Sequence, residues 1–244
     1  MSNDLRRQRI LHLLEENGAV SVRSLTEELF VSEATVRRDL TELERAGALK
    51  RTFGGAQALE GTPRQVPLFI RESMNSAAKS EICRQAASLL RDGCTVFIDG
   101  SSTAQYLVRY LAAHRDILVV TYSIKTAELM CKSHIRTYCT GGLLIENSLV
   151  CTGQEAVRFA ETVNPDVCFF SCKGLSLDGK LTDTSEEETA VRRAFLRNSR
   201  TRVALMTGNK FGTSYFHTVC RTSDVDYLFS DAPLPEGILL RRFS

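Results

Sequence analysis

Asp99-Gly100-Ser101-Ser102-Thr103 is the segment whose residue types and order could do the most chemistry. It closes the apolar run Thr95–Asp99 and opens a helical stretch. A glycine lets the backbone approach a ligand closely, successive amides at a helix start converge on one point, and the hydroxyls add donors, so the loop suits a phosphate. Ser and Thr also cap helices for purely structural reasons, and taken alone the loop fits both readings. Three other runs turn polar or glycine-rich where they stop: Thr121-Tyr122-Ser123, Thr140-Gly141-Gly142 and Ser171-Cys172-Lys173-Gly174. Lys173 and Lys210, the latter within Thr207–Gly212, bring positive charge toward the same rim if these runs are strands of one sheet.

A second set of candidates lies near the N-terminus. Ser32 is a natural N-cap for a helix from Glu33 to about Ala46, in which Val36, Leu40 and Leu43 form one core-facing stripe. Turning at 100° per residue, that helix puts Ala34, Arg38, Thr41 and Arg45 opposite the stripe and Thr35 and Arg37 on its flanks. Ser32, Thr35, Arg37 and Arg38 are therefore placed to meet base edges in a major groove, as the second helix of a helix-turn-helix does. Leu49–Phe53 and then Gly54-Gly55-Ala56 predict a strand, a turn and a return strand, whose Lys50 and Arg51 can reach the DNA backbone. The competing reading is a three-helix interaction module whose arginines pair with Asp39, Glu42 and Glu44 on a solvated face. Helix number, turn position, polar face and Gly-Gly wing together favour DNA.

The elements that must position these residues follow from periodicity. A first helix runs from Leu5 to Leu14 and stops at Asn17-Gly18; a second spans about Ser24 to Leu29. Gly61, Pro63 and Pro67 mark a boundary, which divides the chain into a winged helix-turn-helix (1–57), a linker (58–74) and a larger domain (75–244). In the larger domain, helix signals near 76–91, 103–113, 123–132, 154–162 and 186–198 alternate with apolar runs at 95–99, 117–121, 135–139, 167–171, 202–206 and 227–230. That alternation predicts an α/β fold with a mostly parallel sheet covered on both faces, whose ligands sit beyond the carboxyl ends of the strands.

Composition narrows the class. The formal net charge is +2, and residues 1–61 carry nine Arg/Lys against ten Asp/Glu, so DNA affinity must come from geometry and not from bulk charge. No apolar stretch is long enough to cross a bilayer and the N-terminus lacks a signal-like core, which predicts a cytoplasmic protein. The eight cysteines form no CxxC pair and read as small buried hydrophobes, the four histidines are scattered, and no metal or nucleotide-cofactor motif is present.

The blocks Val31–Leu40, Leu43-Glu44, Gly47 and Phe53–Ala56, in this order and spacing, closely resemble the N-terminal signature of the DeoR family of bacterial sugar-metabolism regulators. The resemblance continues through Arg71, Lys79 and Ala86-Ala87 and covers nearly the whole chain. It implies a C-terminal sensor similar to ribose-5-phosphate isomerase. A phosphorylated sugar would be bound by Asp99–Thr103, with Thr121, Ser123, Gly141, Gly142, Gly153, Lys173, Lys210 and a carboxylate of Glu186–Glu188, taken as Glu187, around it. The family commonly has Asn where Tyr122 stands, and Asp and Ser where Thr207 and Asn209 stand. An isomerase is the alternative, since Asp99, Asp166, Asp178, Asp183 and Glu186–Glu188 fall near plausible strand ends, but the isomerases' paired acidic motif is not evident before Lys173. The resemblance further implies a homo-oligomeric repressor that reads paired half-sites of double-stranded operator DNA and is released by a sugar phosphate.

Overall fold

The structure, a computed structural model, describes residues 3–45, 47–58, 68–146 and 148–240. Its contacts divide the chain into two compact units, Met1–Met74 and Asn75–Ser244. Ala46, Gly61, Pro63 and Pro67, named above as helix end and boundary residues, lie outside the described residues.

The first unit contains α1 (Asn3–Asn17), β1 (Ala19–Ser21), α2 (Val22–Leu29), α3 (Glu33–Arg45), β2 (Lys50–Thr52), β3 (Gly55–Gln57) and α4 (Leu68–Ser73). The expected stripe of α3 is real, with Val36, Leu40 and Leu43 fully buried against Ile10, Leu14, Leu25 and Leu29. Each such side chain taken out of water stabilises the unit by roughly 1.5–3 kcal/mol. Leu5, grouped with the apolar positions of the first helix, is exposed instead. The second helix starts two residues earlier than its periodicity suggests, because Ser21 caps it and trades hydrogen bonds with Ser24. The wing is a three-stranded antiparallel sheet in the order β1-β3-β2. Its third strand, β1, is too short and too polar to announce itself by alternation. The helix α4 falls within the stretch read as linker.

The second unit runs α5 (Ser76–Ala86), β4 (Thr95–Ile98), α6 (Val108–Leu111), β5 (Leu118–Thr121), α7 (Ile124–Lys132), β6 (Arg136–Cys139), β7 (Leu143–Ile145), β8 (Val150–Thr152) and α8 (Gln154–Thr162). It continues with β9 (Val167–Phe170), β10 (Gly174–Leu175), β11 (Lys180–Asp183), α9 (Glu186–Asn198), β12 (Thr201–Met206), β13 (His217–Arg221) and β14 (Tyr227–Ser230). Six strands form one wholly parallel sheet in the order β14-β12-β9-β4-β5-β6. Its central strands are apolar on both faces, as a doubly covered sheet requires. Val96, Ile98, Val167, Phe169, Val203 and Leu205 pack with α5 and α6 on one side. Phe97, Cys168, Phe170, Ala204 and Met206 pack with α8 and α9 on the other. The antiparallel sheet β10-β11-β13 and the hairpin β7-β8 add to this frame; their strands of two to five residues carry no readable period.

Registry fixes where the site can be. Ile98 pairs with Thr121 and with Phe169, Thr121 with Cys139, and Phe170 with Ala204. The carboxyl ends of β4, β5, β6, β9 and β12 therefore share one rim, and the segments that follow them are Asp99–Thr103, Tyr122-Ser123, Thr140–Gly142, Ser171–Lys173 and Thr207–Lys210.

Candidate functional site

In the first unit, Phe30 takes a left-handed conformation (φ 53°) that turns the chain from α2 into α3. Ser32 then receives the Thr35 amide on its hydroxyl (3.3 Å), and the two hydroxyls lie 3.0 Å apart. Arg37 and Arg38 are exposed. Arg37 makes only an i,i+4 pair with Glu33 at 3.1 Å, a surface contact of about 0.3–0.5 kcal/mol that a better anion can displace. The Arg38 side chain has no ion pair or hydrogen bond among the described residues. Lys50 is exposed as well, whereas Arg51 is half-buried: its guanidinium donates to Thr41 (2.9 Å) and its amide to Glu44 (2.9 Å). Arg51 thus ties the wing to α3.

Asp39 departs from the solvated face considered for it. It sits on the buried stripe, completely covered, where its carboxylate takes Arg6 Nε at 2.5 Å and Arg7 Nε at 3.2 Å, while Arg7 also pairs with Glu42. Two arginines of α1 therefore hold α3 from behind and leave its own arginines facing out.

In the second unit, Asp99 is fully buried and every oxygen of its carboxylate is engaged. Oδ1 accepts the Ser101 amide (3.0 Å); Oδ2 accepts the Ser171 amide (3.0 Å) and Arg192 Nε (3.2 Å). Asp99 accordingly shapes the loop and does not reach out to a ligand. Gly100 is obligatory, since a Cβ there would lie 2.4 Å from Val150 Cγ1 and 3.3 Å from the Tyr122 ring. With Ser101 N bound to Asp99, the amides of Ser102 and Thr103 make no hydrogen bond among the described residues. Lys79 of α5, almost wholly buried, donates to Ser102 Oγ at 3.0 Å, and Lys210 donates to Ser171 Oγ at 2.9 Å. Two ammonium groups and two available amides gather around one loop, which is chemistry for an anion.

Arg192 of α9 is the centre of the supporting network. It touches Asp99, Asp183 Oδ2 (3.2 Å), Glu188 Oε2 (3.7 Å) and the Tyr122 hydroxyl (3.2 Å). Burial opposes its charge, yet Tyr122, Asp183 and Asp99 hold its pKa well above the usual value, so it stays protonated. Burial also pushes the Tyr122 phenol well above its ordinary value, against the pull of Arg192. Tyr122 is covered completely and packs beneath Gly100, so this residue is part of the loop's floor.

The remaining expected residues fall in four groups. Thr121 and Ser123 lie at the rim but are buried and spent on local caps, receiving the Ser123 and Thr126 amides. Gly141, Gly142 and Gly153 all have positive φ, and Gly142 is close to Thr152 O, 2.4 Å from where its Cβ would stand. Lys173 donates to Thr184 Oγ1 at 2.5 Å. Glu187 is exposed and bonded to Ser185, whereas Glu188 turns inward to Arg192.

Of the carboxylates that an isomerase reading would use, two are engaged elsewhere: Asp166, immediately before β9 at the opposite end of the sheet, accepts the Thr95 amide, and Asp178 pairs with Lys180 in a turn. Asp99, Asp183 and Glu188 are held by Arg192. Among the described residues there is no group of three or more His, Cys, Asp or Glu placed to hold a metal, and no helix is long and apolar enough to cross a membrane.

A winged helix-turn-helix joined to a parallel α/β unit with an anion-suited loop defines a DNA-binding regulator with a sensor. Comparison with known families agrees: residues 6–62 match the DeoR-like helix-turn-helix domain and residues 74–232 the DeoR C-terminal sensor domain. The chain belongs to the DeoR family of transcriptional regulators. It is 32% identical over 234 residues to the HTH-type transcriptional regulator GolR of Listeria innocua, covering 96% of this chain and 92% of that one. It is 30% identical over 240 residues to the glycerol-3-phosphate regulon repressor of Escherichia coli, covering 98% and 95%. Among solved structures, the sorbitol operon regulator SorC of Klebsiella pneumoniae aligns over 95% of this chain and 97% of its own at 11% identity and a TM-score of 0.43. Ribose 5-phosphate isomerase A of Methanocaldococcus jannaschii aligns over 56% and 55% at 15% identity and a TM-score of 0.42.

Proposed function

We propose that this regulator represses a carbohydrate catabolic operon and is released when a phosphorylated sugar or related metabolite binds the Asp99–Thr103 loop. The observation that carries the proposal is the pair of unbonded amides at Ser102 and Thr103 beside the Lys79 and Lys210 ammonium groups. The Escherichia coli relative, whose name links it to a phosphorylated triol, supports the same ligand chemistry. Arg38 with Ser32, Thr35 and Arg37 reads base edges, Lys50 meets the phosphate backbone, and Arg51 sets the angle of the wing. Paired half-sites imply a homo-oligomer, because a symmetric reader matches a symmetric operator. The ligand can act only if it binds the DNA-competent and released arrangements with different affinity.

A thermal-shift screen of the full chain against triose, pentose and hexose phosphates, each beside its unphosphorylated sugar, tests the sensor: a phosphate-dependent rise in midpoint is expected. No rise with any phosphorylated compound rejects the loop as the ligand site. For the reading head, Arg38→Ala should weaken binding to a duplex selected from a random-sequence pool by well over tenfold, and unchanged affinity rejects that assignment.

A further inference from the structure

We propose that Phe53, at the tip of the wing, is an apolar wedge that enters the DNA beside the recognition helix and partly unstacks one base step. The inference rests on the DNA-reading assignment above and deepens it. Thr52 pairs with Gly55, so Phe53 and Gly54 form a two-residue hairpin tip. Gly54 supplies the positive φ (88°), which leaves Phe53 at the first turn position and fully exposed. Among the described residues nothing covers that ring, so packing there gives no reason for an aromatic residue.

The tip is nevertheless held firmly. The Val22 amide donates to Gly54 O at 2.7 Å, and a Cβ on Gly55 would stand 2.0 Å from Val20 O, so the hairpin lies flush against β1. On the other side, Arg51 fastens β2 to Thr41 and Glu44 of α3. The ring is thus presented at a fixed offset from Arg38, and inserting it costs little conformational entropy.

The surroundings select the partner. Thr52, Gly54 and the exposed Lys50 are polar or small, and the groove that Phe53 edges with Leu13 and Val20 also carries Ser24 and Glu28, so the ring is not the centre of a wholly apolar patch such as a protein interface uses. A cation for phosphate next to an apolar ring for the base stack matches a duplex, where Phe is among the side chains that wedge between base steps.

The test uses the full chain, a duplex selected from a random-sequence pool, and 2-aminopurine placed at successive positions. Wild type should raise the fluorescence several-fold at one step flanking the major-groove site. Phe53→Ala should abolish that rise and weaken binding about tenfold, while Phe53→Leu keeps most of both. Lys50→Ala should weaken binding and leave the rise intact. No rise with wild type at any position, a rise that survives Phe53→Ala, or a change in sedimentation in place of DNA affinity overturns the wedge. Affinity lost in Arg38→Ala but kept in Phe53→Ala also overturns it and leaves the recognition helix standing; the opposite pattern keeps the wedge and removes Arg38.

Discussion

Arg6 Nε lies 2.5 Å from Asp39 Oδ2, and both side chains are buried, so this pair, with Arg7 beside it, fastens α1 to α3 inside the core. Removing one member of such a pair strands the other charge, which costs roughly 3–5 kcal/mol. Asp39→Asn should therefore unfold the first unit at ambient temperature or close to it, although Asp39 faces away from the surface assigned to DNA. Circular dichroism of the variant, with duplex binding measured in parallel, checks this; a wild-type melting profile would refute the structural role.

Ser102→Asp should place a carboxylate within reach of Lys79, where a phosphate would otherwise sit. Response to phosphorylated sugars should vanish in the thermal-shift screen while duplex affinity stays within twofold or so of wild type. A preserved ligand response would mean that the anion binds elsewhere.

Arg192→Met should leave the buried carboxylates Asp99, Asp183 and Glu188 without their shared cation. The expected loss is again about 3–5 kcal/mol, confined to the second unit, and urea unfolding should show its transition moving to lower denaturant. A drop below about 1 kcal/mol would show the network to be dispensable.

Phe30→Gly should stabilise the first unit by about 0.5–1 kcal/mol, since the turn into α3 needs a left-handed residue and the Phe30 ring is 92% exposed. The melting midpoint is the readout, and a fall in that midpoint would contradict the expectation.

Burial pushes the Cys83 and Cys220 thiols up to about 12 from an ordinary 9. Their folded pKa values lie above the unfolded ones, so their contribution is fully present below pH 9. It is lost at about 1.4 kcal/mol per pH unit per thiol as the pH rises from 9 toward 12. Urea midpoints should be level across neutral pH in this respect and fall above pH 9. At pH 8, a thiol reagent should modify the exposed Cys131 first, with the buried Cys83 protected until unfolding.

Much of this architecture was legible in the residues. The six parallel strands are runs of branched and aromatic residues between helices of readable period, and the Asp99–Thr103 loop is marked by its glycine and hydroxyls. What escaped shares one physical cause. Asp39, Lys79 and Arg192 each lie on a buried helical stripe, with Val36, Leu40 and Leu43, with Ile82, Cys83 and Ala86, and with Glu188 and Phe195 respectively. A charge on such a stripe is a signal in itself, because burying it demands a partner. The partner, however, comes from an element distant in sequence, and periodicity within one helix is silent about it. The inward turn of Glu188 follows from the same rule, since it lies four residues before Arg192.

The bond from Arg192 to Asp99 spans ninety-three residues and crosses from the last long helix to the 99–103 loop. Sensor specificity in this scaffold is therefore not a portable cassette: a chimera that imports the 99–103 loop alone would arrive without the guanidinium that shapes it. Engineers who wish to retarget the sensor must transplant the loop, Asp183 and the 188–192 turn as one inheritance.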